Sequence, residues 1–121
     1  MKLTPECKQL LAEGMPAMIA TSGKSGKPNV SPKGSLRVLD DEHLLFVDSN
    51  SPRTTANLRE NPQVAVICFN AANRKGCRVW GKAEIITSGP FFDQIAKDVA
   101  TRRGSKTNAV IKVAIEEAVT F

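Results

Sequence analysis

The chain of 121 residues predicts a mostly β fold with flanking helices, its short antiparallel strands closing, or nearly closing, into a small barrel. Two observations lead there. Apolar residues alternate with period two over six or more short stretches separated by turn residues, while only three stretches carry a helical pattern. In a chain this short, an open sheet of that many strands would leave long unpaired edges, and closure removes them. The length fits one domain spanning residues 1–121, enough to bury about two-thirds of the unfolded surface.

A first helix runs from about Thr4, with Pro5 at its first position, to Glu13, and ends at Gly14. Pro16 to Ser22 reads as a strand, and Gly23 to Lys27 as the turn into a strand from Asn29 to Gly34. Pro28 and Pro32 bracket that second strand; proline cannot donate to a ladder, so the segment belongs at an edge or a bulge, where a barrel can split and admit a ligand. Ser35 to Leu39 and Leu44 to Asp48 flank an acidic turn. A short helix begins at Pro52, capped by Ser51, and stops at Asn61-Pro62. Two long strands follow, Gln63 to Asn70 and Cys77 to Thr87. Pro90 to about Arg102 forms a second amphipathic helix that buries Phe92, Ile95, Ala96 and Val99. Thr107 to Ile115 closes the chain as a strand with Ala109, Ile111, Val113 and Ile115 inward, leaving an extended tail to Phe121.

Composition narrows the class. With 41% hydrophobic and 24% charged residues, the chain is an ordinary globular one. No apolar run is long enough to span a bilayer, and the N-terminus lacks a signal pattern, so a cytoplasmic protein without membrane attachment is expected. Cys7, Cys68 and Cys77 fit neither a disulfide framework nor a zinc site, and reduced buried thiols are expected. The net charge of +5 comes from 17 basic residues spread along the chain. Arg74-Lys75 and Arg102-Arg103 with Lys106 fall in loop-like positions, and no nucleic-acid motif is present, which argues against a nucleic-acid partner.

The most informative segment is Ser49 to Pro62. Arg53 sits in the first turn of its helix, where the dipole disfavours a cation by about 0.3–1 kcal/mol. Glu60 occupies the last turn. A bound anion removes the conflict: free N–H groups, the hydroxyls of Ser49, Ser51, Thr54 and Thr55, and one guanidinium make a phosphate cradle. A solvated, hydroxyl-rich turn is the other reading. Ser31 and Lys33 have no evident apolar partners and are candidates for the same anion, against a lysine at a strand end in water.

Trp80 lies on the face opposite Cys77, Val79, Gly81, Ala83 and Ile85, among Arg78, Lys82 and Glu84. Its cover comes from the second helix, a partner subunit or a planar cofactor. Phe121 is either a frayed end or an aromatic lid. Other motifs fail on inspection. Gly104-Ser105-Lys106-Thr107 lacks the upstream glycine and following helix of a nucleotide loop, and Gly23 and Gly26 belong to a hairpin. His43 is the single histidine, so neither a His-based catalytic set nor a metal site is expected, and no catalytic side chain is assigned. Any catalysis would rest on a bound cofactor.

The element order, together with Pro28-Asn29-Val30-Ser31-Pro32-Lys33-Gly34, the segment Ser51 to Pro62, and Trp80-Gly81-Lys82-Ala83, resembles the FMN-binding split barrels related to pyridoxamine 5'-phosphate oxidase. The resemblance covers nearly the whole chain. It implies a six-stranded antiparallel split β-barrel, a homodimer, and two FMN sites between subunits. It carries phosphate contacts to Arg53 and Thr54 and second-strand contacts to Ser31, Pro32, Lys33 and Gly34, with Trp80 and Phe121 near the flavin. No arginine-rich segment follows Thr107, so oxidation of a B6 vitamer is not implied. The chain is most similar to the minimal members, FMN proteins of electron-transfer or reductase type. The alternatives are a relative that takes a deazaflavin or degraded haem, and a non-enzymatic module for another phosphorylated ligand.

Overall fold

The computed structural model describes residues 1–12 and 17–121, in the order α1 (Pro5–Ala12), β1 (Ala17–Ser22), β2 (Pro28–Lys33), β3 (Arg37–Asp40), β4 (His43–Asp48), α2 (Pro52–Glu60), β5 (Gln63–Asn70), β6 (Lys75–Ile86), α3 (Pro90–Arg103) and β7 (Ala109–Thr120). The expected end of the first helix at Glu13-Gly14 and the expected strand start at Pro16 lie outside the described residues. The strands form one antiparallel sheet, β2-β1-β5-β6-β7-β4-β3, with seven members instead of the implied six. Its ladder is not closed. The edges are β2 and β3, which matches the expectation that the proline-bracketed strand is an edge, and β2 pairs with β1 from Ala17↔Lys33 to Ser22↔Pro28 without a bulge.

Inward side chains of β1, β4, β5, β6 and β7 meet in one core around Ile19, Phe46, Val66, Val79, Ile111 and Val113. Leu3, Cys7 and Leu11 cover it from the N-terminal side, and Leu58 enters it from α2. Burying each such large side chain contributes roughly 1.5–3 kcal/mol. A second cluster packs Ile95 and Val99 of α3 on Leu45, Val47 and Val110. Strand β4 is therefore covered on both faces, which explains its unbroken buried run from Leu44 to Asp48.

Strand β7 runs on to Thr120, past the expected stop at Ile115. Pairing with the twelve-residue β6 outweighs the polarity of Glu116-Glu117, and a bulge between Trp80 and Gly81 takes up the extra residue. Cys7 and Cys77 are joined in a disulfide, which corrects the expectation of reduced thiols; Cys68 is buried beside them, its Sγ donating to Leu10 O at 3.3 Å. Spacing could not reveal a bond between partners 70 residues apart. Among the described residues, no helix is long and apolar enough to cross a membrane.

Helix α2 packs against β1, β2 and β4, beside the edge where the sheet is open. Pro52 opens it, and Asn61 ends it in an extended conformation with its N–H on Asn57 O, just before Pro62. The approach to the β1–β2 turn is close. A Cβ on Gly23 would lie 2.4 Å from Glu60 Oε1 and 3.1 Å from Asn57 Oδ1, and that Glu60 oxygen accepts from Lys24 N–H at 2.9 Å.

Candidate functional site

Ser51 occupies the N-cap position of α2, but its hydroxyl does not cap a helix N–H as expected. Asp48, at the end of β4, takes it instead. Asp48 Oδ1 accepts from Ser51 N–H at 2.7 Å and from Ser51 Oγ–H at 3.2 Å, while Oδ2 accepts from Thr55 Oγ–H at 2.6 Å. The first turn of α2 holds no acidic residue, but a buried carboxylate reaches its start from the preceding strand. Burial acts to raise the Asp48 pKa, but the hydrogen bonds from Thr55 and Ser51 and the charge of Lys33 together hold it below the ordinary aspartate value.

Lys33 approaches the same point from the edge strand. Along β2, Pro28, Val30 and Pro32 face outward, while Asn29, Ser31 and Lys33 alternate on the other side. Lys33 is buried and its ammonium donates to Ser51 Oγ, so it is not a solvated strand end. Burial lowers its pKa from the ordinary lysine value, and Asp48 offsets part of that shift. At the other end of the stripe, Asn29 Nδ2 lies 3.5 Å from Thr54 Oγ1. Thr54 and Thr55 are both buried, Thr55 being committed to Asp48. Arg53 is exposed and makes neither hydrogen bond nor ion pair with the described residues.

The structure thus joins Lys33 to Ser51 and Asp48, and Asn29 to Thr54; Ser31 lies between Asn29 and Lys33 on the same face of β2, and Arg53, in the first turn of α2, lines the cleft beside Asn29. Ser49 adjoins them, its carbonyl accepting from Asn108 Nδ2 at 3.0 Å, and Asn108 N–H donates to Asp48 O at 2.7 Å. The neighbouring Thr107 Oγ1 is a buried hydroxyl without a partner among the described residues. Pro32 points to the outer face and Gly34 follows Lys33 at the strand end. The signal for Asp48 was local: an aspartate three residues before Ser51 suits the turn that its carboxylate closes.

Two clefts flank this cradle. One, of about 210 Å³, lies between the β1–β2 hairpin and α2 and is lined by Ser25, Lys27, Pro28, Asn29, Arg53, Ala56 and Asn57. The other, of about 350 Å³, starts at Gly34 and Ser35 and runs to Arg37, Asp98, Arg102 and Arg103. Arg102 and Arg103 close α3 and are not loop residues, as the sequence suggested. Asp98 pairs with Arg37 at 3.0 Å and with Arg102 at 2.9 Å, leaving the cleft net positive.

Trp80 and Phe121 lie elsewhere on this chain, on the outer face of the sheet. Trp80 lines a groove with Ala20, Asn61, Gln63 and Ala65, and α3 packs on β4 and β7 instead, so the second helix is not its cover. Phe121 extends the β7 ladder by two backbone bonds to Gly76 and stacks on Phe69 at 6.1 Å. Arg78 lies over both the Trp80 and Phe121 rings, at 5.9 and 5.5 Å. The register aligns Val30, Ala20, Ala65 and Trp80 in one row, and Pro32, Met18, Ile67, Arg78 and Val119 in the next. Met18, Val30, Phe69, Val119 and Phe121 are 41–58% exposed, an apolar face interrupted by Arg78.

A seven-stranded antiparallel sheet, open at a proline-bracketed edge that meets the start of a helix, places the chain in the split-barrel class. The family profile described as pyridoxamine 5'-phosphate oxidase matches residues 3–120, and the chain belongs to that family. An uncharacterized protein of Methanocaldococcus jannaschii is 32% identical over 120 residues, covering 96% of this chain and 78% of the relative. The crystal structure of HupZ from Group A Streptococcus superposes with a TM-score of 0.90 at 28% identity, covering 98% of this chain and 94% of that one. An FMN-binding protein from Syntrophomonas wolfei shares the fold, with a TM-score of 0.79 at 17% identity over 95% of this chain and 88% of that one.

Proposed function

We propose that this chain is a homodimeric flavoprotein that holds FMN by its phosphate where β2 meets the start of α2, and that it serves electron transfer or substrate reduction. The observation that carries the reading is the buried Lys33 ammonium on Ser51 at the start of α2, with the unpaired Arg53 in the first turn of the same helix. Family membership and the fold shared with an FMN-binding protein support it. An F420 reductase with a TM-score of 0.75 at 21% identity makes a deazaflavin the alternative ring.

The residues present fit a phosphate. Asp48 consumes the Ser51 and Thr55 hydroxyl protons, so the donors left for an anion are the Arg53 guanidinium, the remaining Lys33 N–H bonds and the first N–H groups of α2. The orphaned Thr107 hydroxyl, next to Asn108, is a further donor beside the cradle. Two cations against one carboxylate leave a positive balance that suits a dianion. Bound FMN would supply a centre that takes up one or two electrons. The chain's own part is to neutralise and orient: Asp48 fixes Ser51, and Ser51 positions Lys33. His43 is engaged with Asp40 at 2.8 Å in the β3–β4 turn, outside the cradle, and is not proposed as an acid or base.

The second subunit docks in this reading on the apolar outer face that bears Trp80, Phe69 and Phe121, supplying the cover these rings lack. The cytoplasmic setting expected from the sequence belongs to the same proposal. Titration of ligand-free protein with FMN, followed by flavin absorbance and fluorescence, tests it: the expected result is saturation at one FMN per chain. Absence of binding, together with a raised melting temperature in another phosphorylated compound, would favour the non-enzymatic binding module.

A further inference from the structure

We infer that Cys7, Cys68 and Cys77 form a thiol–disulfide switch: the bond passes from the Cys7–Cys77 pair to the Cys68–Cys77 pair, and its transfer unlocks α1 from the sheet. The three sulfurs belong to one place in the fold. Cys7 is on α1, Cys68 on β5 and Cys77 on β6, and all three are buried in the same inner core. In the disulfide, the Cα atoms of Cys7 and Cys77 are 5.8 Å apart. Cys68 stands directly across the β5–β6 ladder from Cys77. Residues opposed in this way have Cα atoms roughly 4.5–5.5 Å apart and side chains on one face of the sheet. A disulfide spans roughly 4.4–6.8 Å between Cα atoms, so Cys77 has two eligible partners and the second is already within reach.

Helix α1 depends on which partner holds Cys77. It closes the core with Cys7 and Leu11, and its Leu10 O accepts from Cys68 Sγ–H at 3.3 Å, so one short helix engages both sulfurs that compete for Cys77. Polar ties from the same segment reach the β3–β4 turn, through Leu3 N–H to Asp41 O at 2.7 Å and through the exposed Lys8–Asp41 ion pair, which contributes little in water. The transfer is balanced within the chain. The Cys68 thiolate attacks Cys77 Sγ, the Cys68–Cys77 bond forms as the Cys7–Cys77 bond breaks, and Cys7 leaves as a thiolate that takes up the proton Cys68 gave up. No external oxidant or reductant is consumed. Once Cys7 is released, α1 has no cross-link to the sheet, and an eight-residue helix so held belongs to the part of a fold that opens locally at low cost. In the cytoplasmic setting proposed above, a labile disulfide is of the kind that senses redox state.

The experiment maps the disulfide in the intact protein by mass spectrometry. The protein is held without reductant at about pH 8.5, near the ordinary thiol pKa, then quenched in acid, alkylated in denaturant and digested without reduction. The expected result is two populations: Cys7–Cys77 with Cys68 alkylated, and Cys68–Cys77 with Cys7 alkylated. The C7S variant copies the released state. Oxidised by molecular oxygen, which takes up the two electrons, it should form Cys68–Cys77, and its α1 amides should exchange hydrogen about tenfold or more faster than those of the wild type. C68S should keep the Cys7–Cys77 bond and the slow exchange of the wild type. A wild-type map with Cys7–Cys77 alone, or with three alkylated thiols, overturns the inference, and so does a folded, oxidised C7S whose α1 amides exchange as slowly as in the wild type. Where C7S does not fold, the wild-type map decides by itself.

Discussion

Lys33, at the end of edge strand β2, and Asp48, at the end of β4, are bridged by the hydroxyl of Ser51, which accepts from the ammonium and donates to the carboxylate at 3.2 Å. Both charged residues are buried. The bridge ties the open edge of the sheet to the start of α2, and it settles which hydroxyl protons remain for a ligand.

Asp48 should therefore matter to stability before it matters to binding. D48A removes the acceptor of three hydrogen bonds and leaves Lys33 without its counter-charge, a loss of about 2–4 kcal/mol by denaturant unfolding at neutral pH. The pH dependence follows from the lowered pKa of Asp48. Its stabilisation is complete above the unfolded-state value near pH 4 and disappears as pH falls through the folded-state value. The stability gap between wild type and D48N should narrow in acid; a gap independent of pH would show that the carboxylate charge does not contribute.

Much of this arrangement was legible in the sequence, and its limits are physical. Strand β5 runs from Gln63 to Asn70 as expected, because its alternation and its bounding Pro62 and Ala71 turn are local signals. The edge position of β2 followed from two prolines. What stayed hidden depends on pairing across the fold. Lys33 meets Ser51 from 18 residues away, Arg37 meets Asp98 from 61, and β7 outruns its apolar pattern because β6 is there to pair with it. Asp48 was passed over because its partners Ser51 and Thr55 read as cap and cradle residues in their own right.

If Lys33 helps hold the phosphate, FMN binding should be sensitive to alkaline pH. Burial lowers its pKa, so the ammonium is lost at a lower pH than from a solvated lysine, and a bound dianion restores it. FMN affinity is full below that lowered value and declines as pH rises through it, by at most about tenfold per pH unit for one linked proton. The phosphate stays dianionic above about pH 6 and arginine stays charged throughout, so neither supplies that slope. K33M should bind FMN more weakly at pH 7 and show a flatter alkaline profile. An unchanged slope would remove Lys33 from the site.

Arg53 is the most direct probe of the cradle. R53A should weaken FMN binding by about 1.5–3 kcal/mol, the range for a hydrogen bond to a charged group. R53K keeps the charge but loses the planar fork, so it should recover only part of that loss. Because the side chain is exposed and unpaired, neither change should alter unfolding stability by more than about 0.5 kcal/mol. Equal FMN affinity in R53A and wild type would move the phosphate elsewhere.

The outer face of the sheet makes a prediction about assembly. Phe69 and Phe121 stack there at 44% and 46% exposure, with Ile67 and Val119 in the adjoining row. Covering these groups with a second copy removes apolar area worth about 25 cal/mol per Å², while a single buried carboxylate costs several kcal/mol. The double variant I67D/F69D should thus sediment as a monomer at concentrations where the wild type is a dimer, with its circular dichroism unchanged because both side chains lie outside the inner core. If FMN is held between subunits, the same variant should also bind FMN more weakly. A wild-type chain already monomeric at tens of micromolar, or a dimer indifferent to the two carboxylates, would take the partner off this face and leave Trp80 to a different cover.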